Sequence, residues 1–193
     1  MPDELAWERL DRWTAFTCPG FDVVHEEVRL PDGTETDFDY LSEPPAVVVL
    51  PLTPDGEVVV IEEWRQAVGR VNHGLPAGSL EHDDDDLAVA ARRELREETG
   101  YEAAQVERLA TVEPANGLAD SVHHHFLARG CTPAGDQQLD DDESIRVDTV
   151  APETLRGGVA DGEIRDGRAA LAVSYAVAFT DAIEVDTDDP AAR

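Results

Sequence analysis

Residues 87–100 read LAVAARRELREETG, and no other stretch limits the possible folds as much. Leu87, Ala91 and Leu95 recur at i, i+4 and i+8, the spacing of one helix face, which predicts a helix over 87–99. The acidic run Asp83–Asp86 supplies an N-cap and places negative charge at the positive end of the helix dipole. Gly100 suits the position just past the last turn. An apolar stripe of this kind must bury itself against a sheet or another helix. The opposite side raises a problem. Glu94, Glu97 and Glu98 stand at i, i+3 and i+4 and share a face. Like charges at that spacing weaken a helix. Either solvent and salt absorb the repulsion, or a positive partner such as a divalent metal ion sits there.

The segments around this helix favour strands. Residues 1–12 suggest a short surface helix. FDVVHEEVRL, a PDG turn and TETDFDYL then predict a hairpin. EPPAVVVLPL predicts a buried strand, and TPDG turns the chain into a second one, EVVVIEEWR. Residues 71–86 suggest a loop rich in glycine and acid. QVERLATVEPA and SVHHHFLARG suggest strands around a PANGLAD turn, CTPAGDQQLDDDES a loop, and IRVDTVAP a short strand. PETLRGGVADGEI and RAALAVSYAVAF suggest two closing helices, and EVDTDDPAAR a frayed tail. The pattern is a mixed sheet with a few helices, α/β or α+β, in a chain long enough for one domain with a real core.

Charge narrows the partners. Asp and Glu number 43 against 15 Lys and Arg, for a net charge of −28, and every basic residue is Arg. Acidity without lysine suggests the hydrated surface of a halophile protein, whose self-repulsion molar salt screens over about 3 Å. The same charge argues against nucleic acid and anionic membrane surfaces as partners. No apolar run approaches the ~20 residues of a spanning helix, and the acidic N-terminus does not read as a signal peptide. Cys18 and Cys131 are unpatterned, which suggests a reducing cytoplasm and no disulfide.

The stretch GSLEHDDDDLAVAARRELREETGY resembles the Nudix box, whose pattern is G-x5-E-x7-R-E-U-x-E-E-x-G-U with U a bulky apolar residue. Arg93, Glu94, Leu95, Glu97, Glu98, Gly100 and Tyr101 match its second half in sequence. The first half departs. Counted back from Arg93, the first acid falls on Asp85; one extra residue separates it from Gly78, and Asp84 is an equal candidate. The chemistry suits the pattern. Mg²⁺ prefers hard oxygen ligands and shares itself with substrate phosphates, and a bound metal lowers the pKa of an attacking water. Arg93, beside Glu94 and four residues before Glu97, can aim carboxylates with its planar fork.

EEWRQAVGRVNHGLPAGSLE further resembles the segment before the box in ADP-ribose pyrophosphatases. That resemblance implies that Arg65 meets the pyrophosphate and that the carbonyl of Ala77 joins the metal shell. The residues alone also allow Arg65 a surface ion pair with Glu62 or Glu63. The family often has Glu where Gly74 stands, with His73 before it here. QQLDDDESIRV resembles the acidic loop that supplies a further ligand or the general base, with Glu143 first and Asp141 second. Of the tryptophans Trp7, Trp13 and Trp64, core or interface positions are the plain reading, and Trp64 beside Arg65 is the one placed to face an adenine. His123–His125 lack zinc-site spacing, and on a strand His123 and His125 would share one face.

The resemblance implies a Nudix fold, a mixed sheet between helices at 43–183, with a β-rich N-terminal extension at 1–42 that serves dimerisation and a tail at 184–193. It implies Mg²⁺- or Mn²⁺-dependent hydrolysis of a nucleoside diphosphate linked to another moiety, first ADP-ribose to AMP and ribose 5-phosphate. Glu94, Glu97, Glu98 and Glu143 would hold metal. Another nucleoside diphosphate sugar or a nucleoside triphosphate is the alternative substrate. A non-catalytic nucleotide-binding module is the alternative class. A homodimer is the implied assembly.

Overall fold

The computed structural model describes residues 3–81, 84, 86–141 and 143–183. The chain forms two compact units, Met1–Pro45 with Glu113–Val122, and Ala46–Val112 with His123–Arg193.

In the first unit β1 (Glu8–Thr17), β2 (Asp22–Arg29) and β3 (Glu35–Ser42) form an antiparallel meander. The hairpin read from the sequence is β2–β3, and Gly33 takes its turn at φ 89°. Residues 8–12 are strand, not the surface helix expected over 1–12. β1 is exposed along its whole length, and its large apolar residues Leu10, Trp13 and Phe16 fall three apart among charges, with register shifts along the strand, so it leaves no period-2 signal. Cross-strand ion pairs support it: Arg9 and Arg12 on Glu26 at 3.4 and 3.3 Å, and Arg29 on Glu8 at 2.6 Å. Residues 113–122 join this unit: Leu41 N–H donates to Leu118 O, and Asp120 N–H to Leu41 O. The Asp120 carboxylate accepts from the Ser42 hydroxyl and the Glu43 amide.

The second unit is built on β4 (Ala46–Leu52), β5 (Val58–Arg65), β6 (Arg70–Gly74), β7 (Ala77–Ser79), β9 (Gln105–Val112), β10 (His123–Arg129) and β12 (Ile145–Val150). Two short strands, β8 (Tyr101–Glu102) and β11 (Thr132–Pro133), pair with each other. The main sheet runs β12-β5-β4-β10-β9, with β6 added to β5 and β7 to β4. β10 lies parallel to β4 and every other pairing is antiparallel. The helices are α1 (Leu87–Thr99), α2 (Pro152–Ala160) and α3 (Gly167–Phe179). β4 is buried from Val47 to Leu52, as an apolar run covered on both faces must be. Val48 and Leu50 pack with Ala169, Ala172 and Val173 of α3. Val47 and Val49 pack with Ala90, Ala91 and Leu95 of α1. The result is the expected mixed sheet between helices.

The sequence reading of 71–86 as a loop is corrected over β6 and β7. β6 pairs with β5 from Arg65↔Arg70 to Ile61↔Gly74, through a one-turn helix closed by Gly69 at φ 63°. Its run RVNHG is polar and glycine-containing, so strand propensity does not show it; the backbone ladder makes it. The frayed-tail reading at 184–193 and the candidate acid Asp85 lie outside the described residues.

Candidate active site

α1 starts at Asp86, whose side chain accepts from the Ala88 amide at 2.8 Å, and stops at Gly100 with φ 75°. Its inner stripe fixes the rotation of the helix, and Glu94 and Glu98 follow from it. They are only 7% and 3% exposed, one turn apart. Glu97 is turned further out. Burial pushes the Glu94 carboxyl up to about 7, offset by Arg93 and raised further by Glu97 and Glu143. Burial pushes Glu98 up to about 8, offset by a hydrogen bond from the Ala77 amide at 3.0 Å and raised by Glu94, Glu143 and Glu63. Gly78 lies flush against Glu94: a Cβ there would overlap the carboxylate where it now stands, so the Glu94 side chain would have to move aside.

Arg93 gathers the acids. Its Nη1 donates to Glu94 at 2.8 Å and to Glu97 at 3.0 Å, and its Nη2 to Asp84 at 2.8 Å. Asp84, one of the two candidates for the first acid of the pattern, thus lies against Arg93. Glu143, after the acidic loop, is half-buried and acts on the charges of Glu63, Glu94 and Glu98, whereas Asp141 is exposed. The Ala77 amide, not its carbonyl, makes the contact seen with Glu98.

Arg65 lies on β5 with its Nη2 at 2.7 Å from Glu63, so the ion pair weighed from the sequence is present. Ile61, Glu63 and Arg65 alternate along β5 and line a narrow crevice with Asn72, Gly74, Leu75, Asp166 and Arg168. Trp64 lies outside that crevice; its indole donates to Gln66 at 2.9 Å. Sequence reasoning missed Asp166 and Arg168. Asp166 caps α3 by accepting from the Arg168 and Ala169 amides, and it holds the Arg168 guanidinium at 2.8 Å. An acid before an apolar helix was a readable cap signal; nothing marked Arg168 as facing the acids of α1. His123 and His125 share a face with ring centroids 6.4 Å apart, and His124 lies within 3.1 Å of Arg108 and Thr111.

The donor set fits a hard divalent cation. Buried, like-charged carboxylates held above their ordinary range are groups that a cation would neutralise. Among the described residues, however, no three such side chains already surround a common point. Arg93 engages one oxygen of each of Glu94 and Glu97, Oε1 and Oε2 respectively.

The family model for the NUDIX domain matches residues 42–170. The chain belongs to the NUDIX family. Within it, the chain is 32% identical over 161 residues to the ADP-ribose pyrophosphatase of Bacillus subtilis strain 168, covering 83% of this chain and 86% of that one. It is 36% identical over 104 residues to the GDP-mannose pyrophosphatase of Klebsiella pneumoniae, about half of each chain. A crystal structure of an ADP compounds hydrolase superposes with a TM-score of 0.77 at 19% identity, over 88% of this chain and 91% of that one, and so shares the fold. This NUDIX protein is thus an enzyme of the pyrophosphatase group, close to ADP-ribose and GDP-mannose pyrophosphatases, a family that generally uses divalent metals. Among the described residues no helix is long and apolar enough to cross a membrane.

Proposed function

We propose that the protein hydrolyses ADP-ribose to AMP and ribose 5-phosphate with Mg²⁺ or Mn²⁺. The observation that carries this reading is the buried pair Glu94–Glu98, facing Glu143 and bordered by the arginine crevice. Bound metal would neutralise phosphate charge and acidify the attacking water. Glu94, Glu97 and Glu98 would hold it, with Glu143 and the Ala77 carbonyl completing the shell. Arg93 keeps the acids aimed while the site is empty. Glu143 reaches the water from outside the helix and accepts its proton, ahead of the exposed Asp141. Arg65 binds the diphosphate with its fork, and Arg168 adds a second guanidinium. Trp64 has no part in this arrangement.

A GDP-linked sugar is the second reading, supported by the GDP-mannose pyrophosphatase relative and by Gly74, where an added Cβ meets nothing closer than 3.9 Å. The test is hydrolysis of ADP-ribose and GDP-mannose in molar KCl, with Mg²⁺ and then EDTA. Metal-dependent AMP release supports the first reading and GMP release the second. Metal and nucleotide binding without turnover of either would favour a binding module.

The N-terminal extension would serve a homodimer. Trp13 and Phe16 on β1, with Trp7 just before it, are 44%, 57% and 49% exposed, which suits burial by a second copy. Light scattering that gives a monomer mass at micromolar concentration would reject this. The acidic surface fits a salt-rich cytoplasm, as do the free Cys18 and Cys131. Unchanged stability in salt-free buffer would count against the halophile reading.

A further inference from the structure

Both guanidiniums of the crevice are already committed to carboxylates, but the two commitments differ. Asp166 is fixed in place: besides Arg168 it holds the first turn of α3 through two backbone amides. Glu63 has no such anchor. It is only 9% exposed, and among the described residues Arg65 is its ion-pair partner. Burial disfavours its charge, and Glu143 and Asp166 add repulsion that Arg65 and Arg168 offset. Its charge also raises Glu98. Glu63 is therefore a buried acid at the edge of the proposed metal site, kept there by the arginine that a diphosphate would need.

We propose that Glu63 is a positioning residue that locks Arg65, so that diphosphate binding depends on prior occupation of the acids by a divalent cation. Without a cation, a diphosphate must displace Glu63 from Arg65 and leave a buried carboxylate unpaired, which is costly. A cation among Glu94, Glu98 and Glu143 gives Glu63 a second positive neighbour. Arg65 can then turn to the phosphates at little cost. This inference rests on the diphosphate reading of the site.

The test is equilibrium binding of ADP-ribose by calorimetry in molar KCl, with EDTA and with Ca²⁺, for wild type, E63Q, E63D and E63Q/R65A. The lock predicts that E63Q binds at least about tenfold tighter than wild type in EDTA, because Arg65 is freed. In Ca²⁺ the two should agree within about threefold. E63D, which keeps the charge, should stay as weak as wild type in EDTA. The double variant should lose the gain, which shows that it runs through Arg65. If E63Q is no tighter than wild type in EDTA, or if E63Q/R65A keeps the gain, the lock is overturned. Hydrolysis by wild type alongside an unmoved E63Q sinks the lock alone. Wild type that neither hydrolyses nor binds a nucleoside diphosphate with metal sinks the diphosphate reading and the lock with it.

Discussion

The face of α1 and the crevice between β5, β6 and α3 both present buried charge, but they are assembled differently. On α1 every acid comes from one helix, and helical geometry alone makes Glu94 and Glu98 neighbours. In the crevice, Glu63 and Arg65 come from a strand, and Asp166 and Arg168 meet them from about a hundred residues later in the chain. The helix face holds like charges, with Arg93 as the shared cation, whereas the crevice holds two matched ion pairs. The first arrangement stores repulsion that a bound cation relieves. The second is already balanced, and a ligand must break a pair to enter it. In the function proposed above, the first region would supply the chemistry and the second would set the conditions of entry.

The largest test of this division is Glu98→Gln. It should lower kcat by about a thousandfold or more while the thermal transition in EDTA at pH 8 does not fall, since a desolvated charge has been removed. Activity near wild type would break the assignment of α1. Next come Arg65→Ala and Arg168→Ala, each expected to lower kcat/KM by roughly 10- to 100-fold. An unaffected Arg168→Ala would detach α3 from the site.

The pH dependence of stability is a smaller effect with a definite sign. Glu94 and Glu98 are raised to about 7 and 8, above their unfolded values. Their contribution is fully present at acid pH and is lost as pH rises through those values. His125, buried and pushed down to about 4 by burial and then by His123 and Arg168, acts in the opposite sense, but only at more acid pH. Between pH 6.5 and 8.5 in EDTA the protein should therefore lose on the order of 1–3 kcal/mol, and Mg²⁺ should restore it. A melting temperature that rises over that window without metal would contradict the buried-acid account. The smallest effect belongs to Trp64→Ala. Outside the crevice, it should change kcat/KM by less than about threefold; a larger loss would place the substrate's base against that face.

These tests follow the line between what could be read from the sequence and what could not. α1 was legible to its ends, because cap, stripe and stop signal all lie within fifteen residues and agree. β4 and the β2–β3 hairpin were legible for the same reason. β1 was not: Leu10, Trp13 and Phe16 fall three apart in an irregular edge strand, and only its ladder with β2 defines it. The crevice was half legible. Arg65 and its partner Glu63 are two residues apart on one strand and were paired as candidates. Arg168 lies about a hundred residues later in the chain, and nothing local in DGRAAL points towards Glu63. Trp64 stands between Glu63 and Arg65 in sequence and so faces the other side of β5, outside the crevice.

The path of the chain between β9 and β10 has a consequence for how such a protein can change. The chain leaves the unit of the sheet and helices after Val112, spends ten residues in the unit of the N-terminal strands, and returns at His123. Leu41 is bonded in both directions to that excursion. The first 45 residues are thus not a detachable module that could be lost, gained or exchanged as one piece. A truncation at Pro45 would leave Leu118 and Asp120 without their partners, in a loop whose two ends are anchored elsewhere. Insertions and replacements in one segment must be matched in the other, so recombination at this boundary calls for two coordinated crossovers rather than one.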